Sequence, residues 1–217
     1  KSWSINAYSD VFEFPWMKFG VDAPSKGHEF LIQPIYRPNR YFKIYARFRQ
    51  QLRQKNTSGL DDVITRIEDV IQRNYRIDIS KNIDKFITLK SRVEFVRIKR
   101  ESRENESGVL LTQDISFKPK SFPLNVTLRY ALFDTESYDT RIYTYENNAL
   151  YVFSIPAYYH QGSRAYVLLR YSFLRSMDLW IRYGFFLYDN RDEIGSGAQL
   201  IEGNRRSDLT VQLKISL

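Results

Sequence analysis

The 217-residue chain contains only two histidines, His28 and His160, and they limit the catalysis that the sequence can support. A hydrolase built around a serine needs a histidine within hydrogen-bond reach of it. His28 lies at the edge of a predicted strand and His160 in an apolar stretch, and neither has a convincing partner. The absence of cysteine excludes thiol nucleophiles and cysteine metal sites. We therefore expect a protein that is not an enzyme and that carries no cofactor.

Carboxylates near the C-terminus offer the one candidate for metal binding. Asp189, Asp192 and Glu193 supply hard oxygen ligands of the kind that Ca²⁺ takes. They occur in a polar loop, where solvated acidic residues are the simpler interpretation, and we predict no metal site. The following Gly195-Ser196-Gly197 lacks the lysine, strand and helix of a phosphate-binding loop, which indicates flexibility only.

Basic residues at alternate positions are the stronger chemical signal, because they place many positive charges on one side of predicted strands. Acidic residues at comparable positions are fewer, chiefly Asp78, Glu94 and Asp114. The pattern predicts a basic lumen that prefers anions; the alternative is an interior packed solid by arginine–carboxylate networks that conducts nothing. The predicted lining residues are Lys43, Arg47, Arg49, Arg53, Arg92, Arg129, Arg170 and Arg182.

The elements that position these side chains are strands with one apolar and one polar face. In the last segment Leu209, Val211, Leu213 and Ile215 alternate with polar residues, and the same period of two recurs along most of the chain. Such alternation is typical of sheets with one side in water. The apolar side could meet either lipid or a second protein layer.

The lengths of the loops favour lipid, rather than a second protein layer, against the apolar side of the sheet. Short turns near residues 38, 82, 120 and 175 alternate with long polar loops, as in outer-membrane barrels. Aromatic residues beside the short turns are at the positions of an interfacial girdle; these are Tyr36, Tyr41, Phe86, Phe117, Phe122, Phe173 and Trp180. We predict an all-β fold, an antiparallel up-and-down transmembrane β-barrel of about ten strands with short periplasmic turns and long extracellular loops. Core aromatics of a soluble barrel are the alternative.

Two stretches depart from simple alternation. Lys55 to Asn74 has apolar residues at spacings of three, four and seven, which fit an amphipathic helix, although a strand extension also fits. Residues 134–162 are too apolar to lie freely in water. We expect that segment to fold over or into the barrel, as a gate or ligand platform or as a structural plug.

A net charge of +8 also suggests a nucleic-acid partner. The clearest basic segment with aromatics is Tyr41 to Arg53, but Phe42 and Phe48 lie opposite Arg47 and Arg49. A base-stacking platform needs rings and charges together. A soluble basic β-domain that binds nucleic acid is therefore our alternative, and nucleic acid an improbable partner.

The stretch from Asp134 to Tyr171 resembles the C-terminal barrel region of large Bacteroidota outer-membrane proteins that carry an N-terminal helix-hairpin-helix domain. The similarity is carried by the segments beginning at Arg141, Phe153 and Gly162, with smaller pieces at Ile194–Gly197 and Ile201–Asn204. The resemblance implies a barrel domain, or the C-terminal part of a larger barrel, without catalytic residues. The helix-hairpin-helix region is absent, so no DNA-related role follows.

We therefore expect residues 1–217 to form a single outer-membrane β-barrel domain, or the C-terminal part of a larger barrel, in a Gram-negative envelope. No signal peptide opens the chain, so this location requires a mature chain or a fragment. The function would be that of a porin-like pore or surface-recognition component. Membrane lipid and lipopolysaccharide are the expected partners, with other outer-membrane proteins and an anionic solute as further candidates.

Overall fold

The computed structural model describes residues 2–57 and 66–216, and its main element is one antiparallel sheet of ten strands. The strands in chain order are β1 (Trp3–Phe14), β2 (Ser25–Asn39), β3 (Phe42–Asn56), β4 (Ile67–Asn82), β5 (Ile87–Lys99), β6 (Glu106–Phe117), β7 (Leu124–Thr135), β8 (Ile142–Tyr143), β9 (Ala157–Tyr158), β10 (Gln161–Leu174), β11 (Met177–Tyr188), β12 (Glu193–Ile194), β13 (Ile201–Glu202) and β14 (Arg205–Ile215). The sheet order is β1-β2-β3-β4-β5-β6-β7-β10-β11-β14. The all-β fold, the up-and-down order and the number of main strands confirm that part of the sequence-based prediction.

Connections at the two ends of the sheet differ in length. At one end the strands are joined by residues 40–41, 83–86, 118–123 and 175–176. At the other end the connections are residues 15–24, 57–66, 100–105, 136–160 and 189–204, and two of these contain the small hairpins β8–β9 and β12–β13. We call these the short-turn end and the long-loop end.

The sheet is open along two edges. Strands β1 and β14 stand at the ends of the order, and in the described ranges each pairs with a single neighbour. On the outer side of each edge strand, the backbone N–H and C=O groups have no partner strand among the described residues. Such an edge is available for pairing with a further strand.

The two faces of the sheet are clearly distinguished by exposure. In β7, Leu128 is 42% exposed while the next residue, Arg129, is 5% exposed. Register pairs Leu128 with Ile115 of β6 and Arg129 with Asp114, so each face keeps its character from strand to strand. We call the two sides the apolar face and the charged face. It is the charged face that carries the buried side chains.

Residues 136–160, here called the strap, lie across the charged face. Ile142 and Tyr158 of the strap are fully buried against Val96, Leu110 and Phe133 of the sheet. Edge-to-face contacts join the Phe133 ring to those of Tyr158 and Phe186, with centroids 5.5 and 6.0 Å apart. These rings form an apolar cluster on the charged face, near the long-loop end of the sheet.

Two sequence-based expectations are corrected here. The helix considered for Lys55 to Asn74 is wrong for residues 67–74, which belong to β4, because they pair with β3 as far as Asn56; residues 58–65 lie outside the described part of the chain. Trp180 does not belong to an aromatic girdle, since it is buried on the charged face with Tyr166 and Leu168.

Candidate functional site: the charged face and its strap

All eight predicted lining residues lie on the charged face, and most of them pair with acids. The register places Asp78 directly opposite Arg92 and Asp114 directly opposite Arg129. Arg92 Nε donates to Asp78 at 2.6 Å, and Arg129 donates to both Asp114 oxygens at 2.5 and 2.7 Å. Because these groups are buried, each pair neutralises charges that would be costly alone.

Five of the other predicted residues are less buried than Arg129. Arg49 makes a bidentate pair with Glu29 at 2.7 Å, and Arg170 lies 3.3 Å from Asp178 near the short-turn end. Arg47 donates to the neutral Gln33 at 2.6 Å. The Lys43 and Arg53 side chains have only ring contacts, with Tyr45 and Phe12 respectively, among the interactions that the described residues make.

The strap crosses the sheet by contacting successive strands with consecutive residues. Thr144 accepts a hydrogen bond from Arg92 of β5 at 2.7 Å, and the Tyr145 carbonyl accepts one from Arg129 of β7 at 2.7 Å. The next residue, Glu146, contacts Arg164 of β10 and Arg182 of β11. The arginines thus hold the strap as well as their own partner carboxylates.

Glu146 is the centre of this arrangement and has no exposed surface. Its carboxylate accepts two hydrogen bonds from Arg164, at 3.1 and 3.0 Å, one from Arg182 and one from the Tyr158 hydroxyl at 2.6 Å. Asp208 of β14 accepts from the other end of both guanidinium groups. Burial, followed by the nearby Glu146 charge, raises the pKa of Tyr158, so it remains a proton donor.

Small residues make room for this cluster. A Cβ atom on Gly184 would lie 3.0 Å from the Arg164 guanidinium, and one on Gly108 would lie 2.8 Å from the Thr140 carbonyl oxygen of the strap. Glycine in a strand often marks such a close approach. Gly108 therefore lets the strap backbone lie directly on β6, and Gly184 lets Arg164 lie flat beside Glu146.

The charged face has a smaller excess of basic over acidic side chains than the sequence predicts. The sequence pattern assigned chiefly Asp78, Glu94 and Asp114 to this face. The structure adds Glu29 and Asp208 from the sheet and Glu146 from the strap. Arg164, Glu146 and Tyr158 were missed as site residues. Arg164 had a signal in the strand alternation, whereas Glu146 occurs in a segment with no period to follow.

The candidates for other chemistry do not come together. His28 is exposed on the apolar side of β2, and His160 Nδ1 contacts Arg191 at 3.3 Å. In residues 2–57 and 66–216 no group of three His, Asp or Glu side chains is arranged to hold a metal ion. Asp189, Asp192 and Glu193 thus form no such site.

No protein-family model matches the chain, and a search of curated proteins finds no relative. Within the described ranges, no helix is long and apolar enough to cross a bilayer.

Proposed function

We propose that the ten strands form the wall of an outer-membrane β-barrel, with the apolar face toward lipid, the charged face inside and the strap as an internal plug. The observation that carries this proposal is the exposure of the apolar face on central strands, where Leu111, Leu128 and Tyr130 face outward while Asp114 and Arg129 are buried. Soluble monomers rarely leave contiguous apolar surface of this extent in water.

Strand length supports the same proposal. The ten main strands have 11 to 16 residues, and at a rise of about 3.3 Å and a tilt of about 45° they would reach roughly 26–37 Å along a membrane normal. That is enough for an apolar band about 25 Å tall. Open edges in lipid would leave backbone groups unsatisfied, so the barrel requires closure of β1 and β14 on each other or on further strands.

A cluster on the apolar face supports an orientation with the long loops outward. Arg73 and Arg97 are directly opposite each other in the register, and Lys99 lies beside them at the long-loop end. None of the three forms an ion pair with the described residues. Like charges in this position are unfavourable, and phosphate groups of lipopolysaccharide in the outer leaflet would neutralise them.

The strap favours a plugged surface-recognition barrel over an open pore. It occupies the centre of the charged face and is held there by Glu146, which has no solvent contact. Arginines that pair with sheet carboxylates and with the strap are poorly available to nucleic-acid phosphates. This arrangement weighs against the soluble nucleic-acid-binding alternative.

The test compares one charge on each face of β4. Ile77→Lys places a lysine on the apolar face, where the isoleucine is 49% exposed, and Asn74→Asp places a carboxylate on the charged face, opposite Arg49. In a barrel, the lipid-facing lysine costs about 2–4 kcal/mol near the midplane, and refolding into phospholipid vesicles should fail or slow. Asn74→Asp should insert like the wild-type chain.

The opposite result would refute the membrane proposal. A soluble protein would gain solubility from Ile77→Lys, and the wild-type chain would remain monodisperse without detergent and would not insert into vesicles. A change of gel mobility on heating the detergent-folded chain provides an independent readout of barrel formation.

A further inference from the structure

A cavity on the charged face lies beside the first residues of the strap, away from the Glu146 cluster. We call it the basic pocket; it has a volume of about 160 Å³. It lies at the long-loop end, between the ends of β3–β5 and the first turn of the strap. Its charged lining consists of Arg53, Lys55, Arg100, Arg141 and Asp139. The space suits several water molecules or one oxyanion group.

The positive charges of the basic pocket exceed its negative ones. Asp139 is the one carboxylate among the described lining residues, and it is shared by Arg100 and by Lys55, whose Nζ lies 3.9 Å away. Arg141 donates to neutral oxygens, the Tyr143 hydroxyl at 2.8 Å and the Tyr138 carbonyl at 2.7 Å. Four cations therefore share one anion.

Arg53 is the clearest case of an uncompensated charge. Within the described ranges no carboxylate lies at ion-pairing distance from it, and its guanidinium carbon lies 5.8 Å from the centroid of the Phe12 ring. On the rest of the charged face, Arg92, Arg129 and Arg182 each pair with an acid. The basic pocket thus differs from the ion-paired part of the same face.

Arg100, one of the lining residues, has a buried donor without a partner among the described residues. Arg100 is only 9% exposed, its Nη2 pairs with Asp139, and its Nε has no hydrogen-bond acceptor. Buried donors are nearly always hydrogen-bonded, because leaving one without an acceptor is costly. The lone Asp139 therefore does not meet the donor capacity of Arg100.

We propose that the basic pocket binds a small oxyanion, a phosphate or carboxylate group of a solute. Guanidinium groups suit such ligands because their planar array of N–H donors matches two oxygens at once. The position beside the strap places the bound anion at the long-loop entrance of the charged face. Binding depends on the pocket alone, so its failure in the folded chain would leave the membrane proposal standing.

The experiment titrates inorganic phosphate, and separately acetate, into the full detergent-folded chain at constant ionic strength. The heat of binding is measured by isothermal titration calorimetry. We expect saturable binding of at least one of the two anions, weakened ten-fold or more by Arg53→Gln. Arg53 has no ion pair to lose, so this variant should fold normally. Arg170→Gln, which removes a charge at the short-turn end, is the matched control and should bind as the wild-type chain does.

A second variant and a competition arm complete the test. Arg100→Gln should weaken binding at least as strongly as Arg53→Gln. If lipopolysaccharide micelles compete with phosphate for the wild-type chain but not for Arg53→Gln, the ligand is a lipid-borne phosphate. If the micelles do not compete, the ligand is a free solute. Absence of saturable binding, or equal weakening in Arg53→Gln and Arg170→Gln, would overturn the proposal.

Discussion

Replacing Glu146 tests whether the arginine cluster holds the strap on the sheet. Glu146→Gln keeps the size of the side chain and an acceptor for Tyr158, but it removes the charge between Arg164 and Arg182. Breaking a buried pair by removing one partner costs about 3–5 kcal/mol. Asp208, 44% exposed, still pairs with both arginines, so we expect about 3 kcal/mol, at the lower end.

The strap itself supplies the assay. Arg141 is the one trypsin site in residues 136–160, so cleavage after it, detected by mass spectrometry of the detergent-folded chain, reports strap opening. If opening and closing are faster than cleavage, the rate follows the open population, and about 3 kcal/mol corresponds to a rise of roughly a hundred-fold.

The matched control removes a carboxylate from a looser pair. Asp178→Asn affects a 3.3 Å contact with Arg170, whose side chain is nearly half exposed, and exposed pairs contribute about 1 kcal/mol or less. Cleavage after Arg141 should therefore change by less than about five-fold. If Glu146→Gln cleaves no faster than Asp178→Asn, the cluster does not hold the strap and the reasoning is refuted.

Three further predictions concern the strap, its C-terminal end at His160 and the sheet edges. Tyr158→Phe removes a 2.6 Å hydrogen bond to a charged group, which should cost about 1.5–3 kcal/mol in urea unfolding; a double-mutant cycle that finds it additive with Glu146→Ala, which removes the acceptor, would contradict this contact. Burial, then the Arg191 charge, lowers the pKa of His160 at the C-terminal end of the strap. The stability that neutral His160 lends to this end should be complete above the ordinary histidine pKa and lost as the pH falls through its lowered value. Exchange of the Thr135 amide, which donates to the His160 carbonyl at 2.8 Å, measures this loss, and a His160→Gln variant with the same pH profile would show another group at work. The chain has no cysteine, so Ala7→Cys on β1, combined in turn with Leu209→Cys, Val211→Cys and Leu213→Cys on β14, should give an intramolecular disulfide if these strands close on each other; only intermolecular products would show that closure involves another copy.

The faces of the strands were predictable because a sheet has a side-chain period of two. Leu128 and Arg129 illustrate this, since the alternation in sequence became exposure on opposite sides. The failure at Trp180 has the same origin. Its place in the alternation assigns it to the charged face, but its chemistry suggested an interfacial position, and the structure follows the alternation.

The strap and the pocket could not be predicted in the same way. Thr144, Tyr145 and Glu146 meet three different parts of the sheet in three consecutive residues, and no periodic pattern encodes such a path. Arg100 lies just beyond the end of β5, where alternation no longer assigns a side. Residues whose partners are distant in sequence require the folded backbone to bring them together.

The distribution of charge is the reverse of the arrangement that favours a single sheet in water. Buried arginine–carboxylate pairs such as Arg129–Asp114 often contribute no more than apolar residues of similar size would. A soluble sheet could lower its free energy by burying Leu128 and exposing Arg129. The observed arrangement, with Leu128 exposed and Arg129 buried, is favourable when the sheet is surrounded by an apolar solvent. Leu128 then contacts lipid, and Arg129 pairs with acidic side chains in the interior. If Ile77→Lys and Asn74→Asp prove equally tolerated, this explanation fails together with the membrane proposal.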